Sequence, residues 1–307
     1  LMFLFPKEGI RIGKEHRIRF AHYTQILEPV VVKNQKDIEA VLKGHKVNMN
    51  TYELSSTKQT AAVPMEELIQ FHGADTIAAV IVEPIAGAGG VILPPKGYLQ
   101  RLREICDQHN ILLIFDEVIT GWGRTGEAFA ATEFAVTPDL ITSAKGITNA
   151  TVPLSAVFVS DKIYNTCMEQ AQGPVEFYHG YTYSCHPVAC AAGMATLDIY
   201  ERDGLLTRAK TDGDIGRYWQ EALHSLADLP QVIDVRNYGL VGAVELRAPA
   251  GEAGTVGAKA LPLAWEKGVM VRGIGDAICM SPPLIIEKPE IDTIVSVLRD
   301  VIPQICP

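Results

Sequence analysis

A chain of 307 residues, 48% of them apolar, has enough hydrophobic side chain for one large core or two ordinary ones, which excludes a disordered or low-complexity protein. Its formal net charge of −9 argues against nucleic acid or an anionic membrane as a partner. The clean apolar runs, such as Ile77–Val82 and Ile111–Phe115, fall far short of the roughly 20 residues that cross a bilayer.

The cysteines at 106, 167, 185, 190, 279 and 306 form no Cys-x-x-Cys pair and no metal-type pairing with histidine, so they read as free thiols in a reducing compartment, with no metal expected. The opening LMFLFPKEGIRIGKEHR lacks a basic start, a long apolar stretch and a small-residue cleavage site, so it does not read as a signal peptide. A first residue Leu1 leads us to expect a fragment, or a chain entered inside a gene. The expected compartment is the cytoplasm; a mitochondrial address would need a segment upstream of Leu1.

Residues 1–63 do not share the rhythm of the rest of the chain and receive no function. From about residue 75 strand and helix alternate. TIAAVIVEPI reads as a short buried strand ending in an acid, Glu83, and GAGG as a loop. PPKGYLQRLREICDQHN predicts a helix with Leu99, Leu102, Ile105 and Cys106 on one face. ILLIFDEV is the next buried strand, and DLITSAK and LSAVFVS are further strands. HPVACAAGMATLDIYERDG predicts a long helix that ends at Gly204. Continuously apolar strands between helices predict an α/β fold, a mostly parallel sheet with helices on both faces. Past residue 205 the texture changes. A polar amphipathic helix is expected over roughly 205–227, then QVIDVRNYGLVGAVEL, a helix near 257–267, GVMVRGIGDAICMSPP and a last helix from Pro289 to about Val301. The pattern predicts a C-terminal α+β small domain over 206–307 behind a large domain over 64–205.

Ligands of a parallel sheet sit at the carboxyl ends of its strands. Asp116 stands at such an end, where a partly desolvated carboxylate needs a cation or several N–H donors. Lys145 closes the next strand-like run, LITSAKG, and the interval between the two suits one strand–crossover–strand unit. Both side chains can then reach one pocket. Pyridoxal phosphate suits such a pair: the acid keeps the ring nitrogen protonated, and the lysine, when neutral, attacks the aldehyde. Plainer roles stay open, an N-cap or salt bridge for Asp116 and a solvated loop position for Lys145. Gly121-x-Gly123-x-x-Gly126 has the spacing of a dinucleotide fingerprint, but the acids precede the glycines and little helical pattern comes after them. These glycines are expected to make a tight loop beside the pocket rather than a nicotinamide site.

Three longer stretches, IVEPIAGAGGVILPPKGYLQRLREICDQHNILLIFDEVITGWGRTG, PDLITSAKGITN and FYHGYTYSCHPVACAA, resemble the class III pyridoxal-phosphate-dependent aminotransferases. PPKGYL, HGYTYS and SPPLIIEK resemble the ω-amino acid (β-alanine)–pyruvate branch. The resemblance runs from about residue 64 to the end. It implies the type I fold of pyridoxal-phosphate-dependent transferases, a homodimer with the site at its interface, and transfer of an amino group from an ω-amino acid or amine to pyruvate or a similar keto acid. It implies Lys145 as the cofactor-bonded lysine and proton shuttle, Asp116 on the pyridine nitrogen and Val118 against the ring. Glu83 would lie in the shell around the site, and Thr182 would hold the cofactor phosphate across the dimer. Arg272, in VMVRGIGD, matches the arginine that receives a substrate carboxylate, a task its planar fork suits. Plainer readings stand beside these: core packing for Val118, a structural acid for Glu83, a strand hydroxyl for Thr182 and a surface salt bridge for Arg272. His179 and His186 are read as packing or loop residues.

The family carries, ahead of this region, a Ser-Gly-Ser-Glu-Ala type loop that cradles the phosphate and a Tyr-His-Gly stretch that stacks on the ring. Neither is found in residues 1–63. Cys185 stands where the family has the glycine of Ser-Gly-His-Pro, and Ala150, Thr151 and Ser155 replace a usual Gly-Val and Gly. These departures weaken the expected grip on the cofactor. A non-catalytic remnant of the fold is the alternative, and a decarboxylase or aminomutase the alternative within the cofactor class.

Overall fold

In the computed structural model, which describes residues 2–5, 20–21, 63–169 and 182–305, the apolar runs of the sequence become neighbouring strands. Six strands, β1 (Met2–Phe5), β2 (Phe20–Ala21), β3 (Ala79–Val82), β4 (Leu112–Asp116), β5 (Leu140–Ser143) and β6 (Ala156–Val159), form one sheet in the order β2-β1-β3-β4-β5-β6. Its centre, β3-β4-β5, is parallel; β1 and β6 flank it antiparallel. Register decides what the strand ends share. Val82 pairs with Phe115 and Asp116 with Thr142, so Glu83, Asp116 and the residues after Ser143 leave the sheet at one edge.

Helix α1 (Val63–His72) precedes β3, and α2 (Tyr98–Gln108) makes the crossover from β3 to β4. The expected face of α2 is the buried one: Leu99, Leu102, Ile105 and Cys106. Each such side chain contributes about 1.5–3 kcal/mol on burial. A hydrogen-bonded ion pair aligns the strands. Asp139 accepts Arg103 Nη1 of α2 and the Leu113 N–H of β4, both at 2.8 Å, just before β5 begins. The short α3 (Ala130–Glu133) lies between β4 and β5, α4 (Asp161–Glu169) follows β6, and α5 (Pro187–Arg202) ends as expected before the left-handed Gly204.

Past Gly204 the expected helix over 205–227 is broken. A 3-10 turn at Leu205–Thr207 and a tight turn closed by Gly213 N–H to Lys210 O precede α6 (Asp214–His224). Asp212-Gly213 has turn chemistry that a helix would waste. The bend also lays the Lys210 backbone against Gly126, where a Cβ would meet Lys210 Cα at 2.8 Å. Four strands, β7 (Val232–Tyr238), β8 (Val241–Leu246), β9 (Arg272–Ile274) and β10 (Ala277–Met280), form an antiparallel sheet in the order β7-β8-β10-β9. Helices α6, α7 (Val256–Glu266) and α8 (Lys288–Ile305) complete this part. The last helix runs past Val301 because Ile302 and Ile305 prolong its buried stripe of Ile291, Val295 and Leu298. Around Trp219, Leu223, Leu226, Val244 and Ile278 lies the largest core, which reaches Trp122, Ile147 and Tyr200 of the first part. No described helix is long and apolar enough to cross a membrane.

Candidate active site

Strand β5 stops at Ser143, and Lys145 opens a 3-10 turn, Lys145–Ile147, directly beyond it. Its backbone is left-handed, φ 44°, which costs a side-chain-bearing residue about 1 kcal/mol or more. The side chain is exposed, with no acid paired to it among the described residues. On the neighbouring strand Asp116 is half-buried. Its Oδ1 accepts the Val118 N–H at 3.1 Å, and no cation pairs with it among the described residues.

The adjacent acid behaves differently. Glu117 is 0% exposed, and its carboxylate accepts the N–H groups of Ala130 at 2.5 Å and Ala131 at 2.8 Å and the Thr120 hydroxyl at 3.1 Å. It fastens the start of α3 to the end of β4. Burial pushes its pKa up, and those three donors oppose the shift. The first acid stands half-buried at the strand end, off the lining of the cavity described next, and the second is structural.

Lys145, Val118 and Arg272 line one cavity of about 190 Å³, together with Trp122, Arg124 and Tyr200. Arg272 enters from β9, beside Cys279 of β10, exposed and without a carboxylate partner among the described residues. The loop Gly87–Val91 closes another side, held by Arg236, whose Nη2 and Nε reach Gly90 O at 2.7 and 3.0 Å. Arg236 is itself held by Glu245 at 2.5 Å and Asp234 at 2.7 Å. Arg124 has carbonyl partners: its Nη1 donates to Leu240 O at 2.9 Å and Pro282 O at 2.5 Å. Burial lowers its pKa to about 10, still charged at neutral pH.

The glycine run makes the tight loop beside the cavity, and its spacing serves packing. Gly123 (φ 87°) and Gly126 (φ 101°) are left-handed, and a Cβ on either would meet the backbone of Leu206 or Lys210 at 2.8 Å. The loop is pressed onto the chain that opens the second part, and Trp122 faces the cavity from it.

Glu83 is half-buried and off the cavity lining; its Oε2 accepts the Gly87 N–H at 3.0 Å and shapes the loop that closes the cavity. Thr182 is exposed and also off the lining, so this chain alone does not bring it to Lys145. His186 is exposed immediately before α5; His179 lies outside the described residues. Two of the substituted glycine positions are left-handed: Ala150 has φ 62° and Cys185 φ 58°, whereas Ser155 does not. Sequence reasoning passed over Trp122, Arg124 and Tyr200. The one local signal was a charge inside an otherwise apolar and glycine-rich run, GWGRTG. Among the described residues no group of three His, Cys, Asp or Glu side chains could hold a metal ion.

Among the described residues, the Lys145 amine and the Arg272 guanidinium share one cavity without an acid partner, and the Asp116 carboxylate, with one N–H donor and no cation, stands at the neighbouring strand end off its lining. Their chemistry fits the ring nitrogen and aldehyde of pyridoxal phosphate, and a carboxylate beyond them. An α/β sheet with an amine and an acid at successive strand ends thus defines a class of proteins that bind an aldehyde cofactor.

Comparison with known proteins gives the family. The aminotransferase class-III model matches residues 26–302, opening upstream of residue 64, where the resemblance was expected to begin. An omega-aminotransferase of Caulobacter vibrioides is 54% identical over 241 residues, covering 78% of this chain and 54% of that protein. A β-alanine–pyruvate aminotransferase of Pseudomonas aeruginosa is 50% identical over 228 residues, covering 74% of this chain and 50% of the relative. The crystal structure of a thermostable (S)-enantioselective omega-transaminase from Thermomicrobium roseum superposes with a TM-score of 0.74 at 38% identity, covering 81% of this chain and 56% of that one. This chain belongs to the class-III aminotransferases. It spans about half the length of the curated relatives it matches.

Proposed function

We propose that this chain serves transamination, moving an amino group from an ω-amino acid or amine to pyruvate or a similar keto acid, with pyridoxal phosphate as cofactor and a homodimer as the working form. The observation that carries the reading is one cavity faced by Lys145 and Arg272, neither of them neutralised by an acid among the described residues, at the strand edge that ends in Asp116. The names of the relatives, an omega-aminotransferase and a β-alanine–pyruvate aminotransferase, support the donor and acceptor classes. Residues 64–205 would supply part of the cofactor-holding unit and 206–307 the smaller unit that carries Arg272.

When bound, pyridoxal phosphate supplies an electron sink that acidifies the substrate carbon bearing nitrogen. The chain's own residues do the rest. Asp116 would keep the ring nitrogen protonated, and Val118 would present an apolar surface to the ring. Lys145 would hold the cofactor through its Nζ, and that amine, once released by the incoming substrate, would be the group that accepts and returns the proton. Arg272 binds the carboxylate of donor or acceptor as a planar pair. Thr182 would bind the cofactor phosphate across the dimer, and Glu83 holds the cavity loop in place.

Incubation with pyridoxal phosphate followed by borohydride should label the chain at Lys145, and Lys145→Ala should abolish both the label and alanine formation from pyruvate and β-alanine. A chain that takes no label from saturating cofactor would overturn the reading. Asp116→Asn should lower kcat by about 100-fold or more, the usual loss when a preorganised charge is removed. Arg272→Met should raise KM for carboxylate-bearing donors by about 10- to 100-fold and leave a neutral amine unaffected, because a hydrogen bond to a charged group is worth about 1.5–3 kcal/mol.

A further inference from the structure

Lys145 is held from below by groups distant in sequence. Tyr200, near the end of α5, is 3% exposed. Its hydroxyl donates to Gly146 O at 2.6 Å and accepts the Asn149 Nδ2–H at 3.1 Å. One phenol therefore grips both sides of the turn that carries the amine. Trp122 fills the space beneath. Its indole N–H donates to Ser143 Oγ at 2.6 Å, and its ring stacks on Tyr200 at 6.3 Å with an interplanar angle of 20°. The turn rests on that indole so closely that a Cβ at Gly146 would meet Trp122 Cβ at 2.6 Å.

The turn needs such support. Lys145, Asn149 and Ala150 are all left-handed without being glycine, and conformations of that kind persist only where the surroundings over-determine them. Bonds inside the segment are long at its start, Ile147 N–H to Ala144 O at 3.3 Å and Thr148 N–H to Lys145 O at 3.4 Å. The short bond to Gly146 O comes from Tyr200.

We propose that Tyr200 is a positioning residue for Lys145: its hydroxyl, braced by Asn149 and by the Trp122 ring, locks the left-handed turn that aims the amine into the cavity. This rests on the reading of Lys145 as the cofactor-bonding amine. Burial raises the Tyr200 pKa, opposed by the Asn149 hydrogen bond and then by the field of Arg124, so the phenol stays protonated and able to donate.

Tyr200→Phe keeps the ring and the stack and deletes one hydroxyl. Tyr218→Phe is the control, since that hydroxyl donates to Asp292 at 2.6 Å on the surface, away from the cavity. Each chain is treated with pyridoxal phosphate and borohydride across a pH series, and the label at Lys145 is mapped by peptide mass spectrometry. The expected result is a rate of Lys145 labelling lower by about tenfold in Tyr200→Phe, as for one lost hydrogen bond, with a displaced pH profile, while Tyr218→Phe follows the parent. Labelling of Tyr200→Phe at the parent rate and pH profile would overturn the proposal, whatever happens to its thermal midpoint. A parent that takes no label contradicts the functional reading instead. The positioning role is then decided without cofactor, by acetic anhydride labelling of Lys145 and amide exchange over residues 143–149. Faster exchange and altered labelling in Tyr200→Phe alone support it, and unchanged values refute it.

Discussion

The helices over the β7–β10 sheet turn their apolar stripes inward: Trp219 and Leu223 of α6, Ala260 and Ala264 of α7 and Leu298, Val301 and Ile302 of α8 are all buried. The described elements β6, α4 and α5 are less covered, although α5 buries Ala189, Thr196 and Tyr200. α4 buries no side chain, and Val157 and Phe158 of β6 and Met194, Leu197 and Ile199 of α5 are exposed. Both regions have the local sequence of regular structure; among the described residues the first is the more completely covered. Secondary structure can thus be written locally while stability is supplied by tertiary contact. Lys145 lies between the two, tied by Tyr200 at the root of the exposed segment and by Trp122, Ile147 and Tyr200 to the well-packed core.

The largest effect that would break this comparison is a core truncation. Leu223→Ala should cost about 2–5 kcal/mol in denaturant unfolding, whereas Leu197→Ala should stay within about 0.5 kcal/mol. Equal losses would mean that α5 is as well covered as α6. A smaller effect sharpens the picture of the turns. Ala150→Gly and Cys185→Gly should each stabilise the chain by about 1 kcal/mol, since both replace a left-handed side-chain-bearing residue, and thermal midpoints would show it. The smallest effect leaves stability untouched. A thiol reagent at mild alkaline pH should modify the exposed Cys167, Cys185 and Cys190 but spare Cys106 and Cys279 until unfolding. Burial pushes the Cys106 thiol up to about 12 and raises that of Cys279 as well, so neither forms thiolate.

Much of this was open to reading in the chain itself, for definite reasons. Buried parallel strands appear as unbroken apolar runs, so β3, β4 and β5 were predictable, and the acid and amine at their ends followed from where such sheets bind ligands. The direction of β6 was hidden, because an apolar run of four residues looks the same in either direction. The break before α6 was signalled by Asp212-Gly213 yet overridden by the amphipathic period around it. Lys145, Val118 and Arg272 were expected together and line one cavity. Arg124 and Tyr200 were missed because their partners, Leu240, Pro282 and Gly146, lie far away along the chain and obey no period. The left-handed Ala150 and Cys185 stood out through a resemblance in which glycine occupies those places.

The bonds from Arg124 to Leu240 O and Pro282 O carry one more implication. They tether the floor of the cavity to the segments that bracket β8 and β10, the frame on which Arg272 rides. Arg124 thus joins the two parts of the chain that supply the amine and the guanidinium to one cavity. On the proposed function, the length of substrate that fits between the two groups would depend on how firmly those two main-chain oxygens hold Arg124.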